Sequence, residues 1–369
     1  MRRLLAFTVV AALALSACGT SADAGYDSDV SIEEIAMLTL PGGERHNDVW
    51  GYSDEATSTY LVFFANTRNL SIVDVADPTH PELLSTIALP YTPSSHHDFM
   101  VYQNYLYVVT EGNGAFNFET PSGLQIVDFS DPKNPSVTFW QGEFRSAHTI
   151  YIDEATATLY ASGTDMGGLI IVDISEPLNP SLLGGFAHPY VHEVYVRDGI
   201  AYTSEIRNGT MGIYDVRDPA NIVFVDSVTT PGKSPHSTWL TQDSQYILTA
   251  DETLDGGVAV YTNPLNHPSG ELTLVSEVNI DGFSVHQIQM RGDYLFATWY
   301  SEGVIIVDLS DPNDPVLIAQ GDTSDFDSSH QGYAGAWGVW PYDPRGEYLY
   351  VSDLERGLII LRINGLTLP

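Results

Sequence analysis

The chain has 369 residues, of which 48 are acidic and 14 basic, giving a net charge of -34, while 43% are apolar and 21 are Tyr. That apolar and aromatic mass can build a large core and excludes global disorder. The acidic excess repels phosphate backbones and excludes nucleic acid as a partner, and the single cysteine excludes an internal disulfide.

The first segment reads as an address. Met1-Arg2-Arg3 is a positive start, Leu4 to Leu15 an apolar run, and Leu15-Ser16-Ala17-Cys18 has the form of a bacterial lipobox. Residues 1–17 are therefore expected to be a lipoprotein signal peptide and Cys18 the lipidated anchor. Residues 18–29 form a Gly/Ser/Ala/Asp tether. The expected location is extracytoplasmic, with the chain held by lipid in the periplasm or at the outer cell surface. No later apolar run is long enough for a membrane helix.

From residue 30 to 369 one pattern recurs: an alternating segment, a Tyr-rich segment, an apolar run ending in Asp, then Asp-Pro. The apolar runs are Leu70–Asp74, Leu124–Asp128, Leu169–Asp173, Met211–Asp215, Val258–Tyr261, Val304–Asp308 and Leu358–Leu361. Seven copies at intervals of about 40 to 55 residues, each with room for four short strands, predict an all-β, seven-bladed β-propeller. Asp77-Pro78, Asp131-Pro132, Glu176-Pro177, Asp218-Pro219 and Asp311-Pro312 read as turns between third and fourth strands. The last blade ends on its third strand. Ile32 to Pro41 resembles the fourth strand Pro81 to Pro90, so the N-terminal strand is expected to complete the last blade and close the ring.

Five of the eleven histidines share one repeat position. His97, His192, His236 and His286 each stand ten residues before an aromatic residue of the second strand, at Tyr107, Tyr202, Tyr246 and Phe296; His148 stands twelve before Tyr160. Each opens a first strand, and first strands line a propeller's channel. The expectation is a ring of imidazoles, with His96 as a sixth donor. The first blade instead has Asn47-Asp48-Val49-Trp50 after His46, and the seventh has Trp337-Gly338-Val339-Trp340. Carboxylates recur after the second strand, at Glu111, Asp165, Glu205, Asp251, Glu252, Asp353 and Glu355, and share the same mouth; blade six has Trp299-Tyr300-Ser301-Glu302 there. Neutral imidazoles with carboxylates are the donor set of a transition ion such as copper, iron, manganese or zinc. A structural ring and a pocket for a small organic or anionic ligand are the alternatives. His80, His188 and His267 read as turn residues at the surface. The loop from Asp322 to Ala334, with Asp325, Asp327, His330 and Tyr333, is placed to cover the channel mouth.

The Ile-Val-Asp and Asp-Pro repeats, with Gly335-Ala336-Trp337-Gly338-Val339-Trp340 and Ser352-Asp353-Leu354-Glu355-Arg356-Gly357, resemble the LVIVD-repeat proteins and the choice-of-anchor B family of surface-anchored bacterial proteins. The resemblance covers about residues 30 to 363 and implies the propeller and a surface anchor, but no reaction. One histidine per blade and the His96-His97 pair are also similar to metalloenzyme propellers, such as methanethiol oxidase (selenium-binding protein) and the catalytic domain of nitrous-oxide reductase. No cupredoxin partner or second cysteine accompanies them here.

Two function classes follow. In one, His97, His148, His192, His236, His286 and His96 supply the metal ligands. Glu111, Glu205 or Glu252 then accepts a proton, in an oxidoreductase or hydrolase acting on a small molecule. In the other, the propeller is a non-enzymatic binding scaffold for a surface protein or glycan, with a structural ring. No nucleotide-binding loop, dinucleotide fingerprint or nucleophile elbow is present, so no nucleotide cofactor is expected.

Overall fold

The computed structural model describes residues 29–40, 45–90, 96–112, 123–324 and 332–369. The leader, Cys18 and the tether up to residue 28 lie outside them, as do Asp325, Asp327 and His330 of the proposed lid.

The described strands form seven four-stranded antiparallel sheets. The first blade runs His46–Asp54, Thr59–Asn66, Asn69–Asp74 and Glu82–Ala88, and the next five repeat that order. The apolar runs are the third strands. They sit inside each sheet with neighbouring blades on both faces, so Leu70, Ser71, Ile72 and Val73 are all buried and polar alternation is lost. Each of five runs ends in an Asp whose carboxylate accepts the N–H two residues on: Asp74 from Ala76, Asp128 from Ser130, Asp173 from Ser175, Asp215 from Arg217 and Asp308 from Ser310. That local bond ends the strand. The Asp-Pro turns join neighbouring blades. Ser85 donates to the Pro132 carbonyl, Tyr107 to Pro177 and Ser276 to Pro312.

The core lies between blades rather than within them. One apolar cluster fills each of the seven interfaces, including Val49, Val62 and Phe64 against Trp340, Tyr350 and Leu358 where the last blade meets the first. The last sheet is Ala336–Trp340, Tyr348–Asp353 and Gly357–Asn364, completed by Ser31–Leu38. The N-terminal strand pairs antiparallel from Ser31↔Asn364 to Leu38↔Leu358. Arg356 grips both oxygens of Glu34, at 2.9 and 2.8 Å. The ring is closed by the strand the sequence predicts.

Candidate metal centre

The site is set by a backbone irregularity where each first strand begins. In blades three, four and six the N–H of His148, His192 and His286 donates to Ser162, Ser204 and Thr298. Those carbonyl-bearing residues are also the partners of Thr149, Glu193 and Gln287. Two residues of the first strand thus oppose one of the second, which is a β-bulge. In blades one, five and seven the pairing shifts register between His46 and Val49, Pro235 and Ser237, and Ala336 and Gly338. A bulge breaks strand alternation and re-aims a side chain. His148 and Thr149 both line the channel as a result, as do His286 and Gln287.

Blade two has no bulge. Its pairing continues in one register from His97↔Thr110 through the bond from Glu111 N–H to the His96 carbonyl. Strict alternation sends His96 and Asp98 into the channel and His97 out of it. The expectation for His97 is therefore corrected. Its Nε2 donates to the Thr67 carbonyl at 3.3 Å and its Nδ1 accepts from the Thr110 hydroxyl at 2.9 Å. No lone pair remains for a ligand. His96 takes its place.

The five ring imidazoles stand in sequence around the axis. Ring centroids are 4.4 Å apart for His96 and His148, 3.9 Å for His148 and His192, 4.5 Å for His192 and His236, and 4.1 Å for His236 and His286. Trp337 of blade seven packs tilted against His286, with centroids 3.8 Å apart, and closes toward His96 at 5.6 Å. Six buried nitrogens have no hydrogen-bond partner: His96 Nε2, His148 Nδ1 and Nε2, His192 Nε2, His236 Nδ1 and His286 Nε2. Burial, reinforced by the neighbouring imidazoles, holds His96, His192 and His286 well below the usual histidine range and His236 at about 3. These four rings are neutral at neutral pH, the state in which a lone pair can bind a cation. Ligand atoms of His148, His192 and His236 lie within 4.8 Å of one another, and so do those of His236, Glu252 and His286.

Of the seven recurrent carboxylates, Glu111 and Glu252 meet the ring. Glu111 Oε1 is 3.3 Å from His148 Nδ1; that ring, with Arg207 behind it, holds the Glu111 carboxyl below its ordinary range. Glu252 Oε2 is 4.0 Å from His236 Nε2, and its Oε1 accepts the Tyr300 hydroxyl. Glu205 is turned back into its own blade, where Thr203, Thr210 and Tyr214 donate to it. No oxygen of it is left to act as a base at the channel, which corrects that expectation. Asp165 accepts the N–H of Arg145, Asp251 those of Gly232 and Ser234, and Asp353 those of Glu355 and Arg356. Glu355 accepts from Gly335. These four tie down loops. His46 stacks on Phe64 outside the ring, and His80 and His188 are exposed as expected, while His267 is half-buried against Tyr246.

Sequence reasoning missed the layer below the ring. Asp48, Asp98 and Glu193 line the same cavity, whose volume is about 40 Å³. Asp98 accepts the N–H of Ile150 and Glu193 the hydroxyl of Ser237. Burial raises the Asp48 and Asp98 carboxyls and pushes Glu193 to about 8. Gly338 leaves room for this layer, since a Cβ there would lie 2.6 Å from Asp48 Oδ1. The available signal was the residue after each ring position, in Asn47-Asp48 and His192-Glu193. Tyr300 was a second omission. It is buried with φ +43°, a conformation a bulky residue adopts only under constraint.

Fold and site together define a closed seven-bladed β-propeller with buried histidine and carboxylate clusters able to coordinate a metal ion. The LVIVD repeat profile matches residues 59–88, 95–140, 162–187, 284–323 and 336–367, so the propeller fold carries LVIVD repeats. No curated protein sequence matches the chain. The crystal structure of the Myceliophteria thermophila Cps50 (Swd1) β-propeller domain is similar, with a TM-score of 0.62 and 12% identity, covering 90% of this chain and 100% of that one. At that identity the likeness establishes the fold alone.

Proposed function

We propose that the protein is an extracytoplasmic propeller that binds a transition ion in its channel and uses it as an oxidoreductase on a small molecule. The observation that carries this is the contrast between His97 and the ring. Outside the ring His97 has both nitrogens hydrogen-bonded and His46 has one bonded and one unpartnered. The ring leaves six buried nitrogens without partners, a desolvation cost that a structural ring has no reason to carry. His286 supports the same reading: its Nδ1 lies 2.7 Å from the Trp337 carbonyl, which can only accept, so its Nε2 is the free lone pair. A bound ion would supply Lewis acidity or electron transfer. Glu111, beside His148 at the mouth, is the base nearest an incoming molecule. The donor set suits copper, iron, manganese or zinc.

The leader ending at Cys18 supports lipid anchoring in the periplasm or at the outer surface. A Cys18→Ser variant moving from the membrane to the soluble extracytoplasmic fraction tests it.

Elemental analysis of tag-free protein, beside folded His148→Ala and His192→Ala variants, tests the metal reading. The expected result is at least about one equivalent of ion in the wild type and a lower content in both variants. Redox-active ions favour oxidation and zinc favours hydrolysis. A wild type that carries no ion and takes none up overturns the proposal and leaves a surface-anchored scaffold for protein or glycan.

A further inference from the structure

The ring donors do not form one cluster. They form two, His148–His192–His236 and His236–Glu252–His286, and His236 alone belongs to both. Building on the metal-centre reading, we propose that the channel holds two transition ions side by side, bridged by the His236 imidazole.

One imidazole serves two ions only through its two nitrogens, and those of His236 face different groups. Nδ1 has no hydrogen-bond partner and lies 3.7 Å from Glu193 Oε2, whereas Nε2 is 4.0 Å from Glu252 Oε2. The neighbours divide in the same way. His148 and His192 stand on one side of His236, at 6.4 and 4.5 Å between ring centroids, and His286 stands on the other at 4.1 Å. Tyr300 holds Glu252 Oε1 and leaves Oε2 toward His236. The second cluster thus has its own carboxylate, with one oxygen already committed.

The carboxyl groups around the channel suit bound cations. Asp48, Asp98, Glu193 and Glu252 are buried or nearly so around this channel, and none pairs with a lysine or arginine among the described residues. Asp48 Oδ1 and Gln289 Oε1, of residues that line the same cavity, have no hydrogen-bond partner. Buried charge needs a compensating charge. When the second ion binds, it takes the place of the proton on the second nitrogen of His236. That proton passes to solvent, and no electron is transferred.

The test titrates the metal-free full chain with Cu(II) alone. It is followed by electron paramagnetic resonance and by calorimetry in two buffers of different ionisation enthalpy. Two equivalents should bind. The resonance should grow over the first and fall over the second as the two spins couple, with extra proton release in the second step. Folded Glu252→Gln and His286→Ala variants should weaken the second event by about 10- to 100-fold and spare the first. His148→Ala and His192→Ala should do the reverse. Saturation at one equivalent, with all four variants weakening that one event, overturns the two-ion arrangement and leaves the metal centre standing. Two equivalents with additive, uncoupled signals overturn the bridge. Uptake of no ion overturns the metal reading itself.

Discussion

His286 and Trp337 are joined twice: the imidazole Nδ1 donates to the Trp337 carbonyl at 2.7 Å, and the two rings pack at a 35° tilt with centroids 3.8 Å apart. The hydrogen bond fixes the tautomer and the ring contact restricts the ring plane, so Nε2 is left for the channel. Such outer contacts are how proteins orient metal-ligating histidines. They also make the ring histidines separable by experiment from His97.

His97→Ala should leave metal content unchanged while costing about 2–4 kcal/mol of stability. It opens a cavity at a fully buried position and strands the Thr67 carbonyl and Thr110 hydroxyl. His192→Ala should do the opposite, removing bound ion with little loss of apo stability, because its Nε2 has no protein partner to lose. Urea unfolding of metal-free protein beside elemental analysis checks both. Equal loss of metal in the two variants would return His97 to the site.

Tyr300→Phe keeps the ring that packs 5.4 Å from His286 and removes only the bond to Glu252. Glu252 then has no fixed orientation. Metal affinity should fall about 10- to 100-fold, with a stability change near 1 kcal/mol. Competition against a chromophoric chelator measures it. Unchanged affinity would remove Glu252 from the ligand set.

These contrasts show where the sequence was legible. Leu70–Asp74 and its copies announce central strands because both faces are buried. Ser31–Leu38 announces closure because it copies a fourth strand. The histidine spacing was also real, since His97 and His192 stand the same ten residues before their second-strand tyrosines. What spacing does not carry is the bulge. It depends on which carbonyl accepts the His148 N–H, and its absence in blade two exchanges His97 for His96. The same limit hid Glu193 and Asp48, which face the channel only because a bulge precedes them. Asp165, Asp251 and Asp353 looked like Glu252 because a carboxylate after a strand can serve a loop N–H as well as a cation.

Closure should be measurable at one ion pair. Arg356 binds both oxygens of Glu34 and the Thr323 carbonyl, tying the first strand to the last blade. Arg356→Ala should lower stability by about 1 kcal/mol, or a few degrees of melting temperature. Deleting residues 31–38 should cost far more and expose the edge of Gly357–Asn364, so that the protein self-associates. Thermal unfolding with light scattering separates the two. A deletion variant that stays monomeric at wild-type stability would mean that the ring does not depend on this strand.

Protonation should give the metal-free and metal-loaded proteins different pH optima. Six buried histidines are held below their unfolded values: His46, His96, His192 and His286, with His97 at about 4 and His236 at about 3. The unfolded chain binds protons there that the folded chain refuses, so stability falls as pH drops below about 6.5. The raised carboxyls act in the other direction. Glu193, at about 8, and Asp353, at about 6, contribute stability that is fully present below the unfolded value near 4.3 and is lost as pH rises through the folded one. Six histidine slopes outweigh two carboxyl slopes up to about pH 6.5, so the metal-free optimum lies near pH 6.5 to 7, with a decline toward pH 8 as Glu193 ionises. A bound ion reverses the upper limb, because it favours ionised Glu193 and neutral imidazoles together. The loaded protein should therefore be most stable above pH 7 and release its ion on acidification. Urea unfolding from pH 4 to 9 with and without ion reads this directly, and coincident optima would show that the buried carboxyls do not sense the metal.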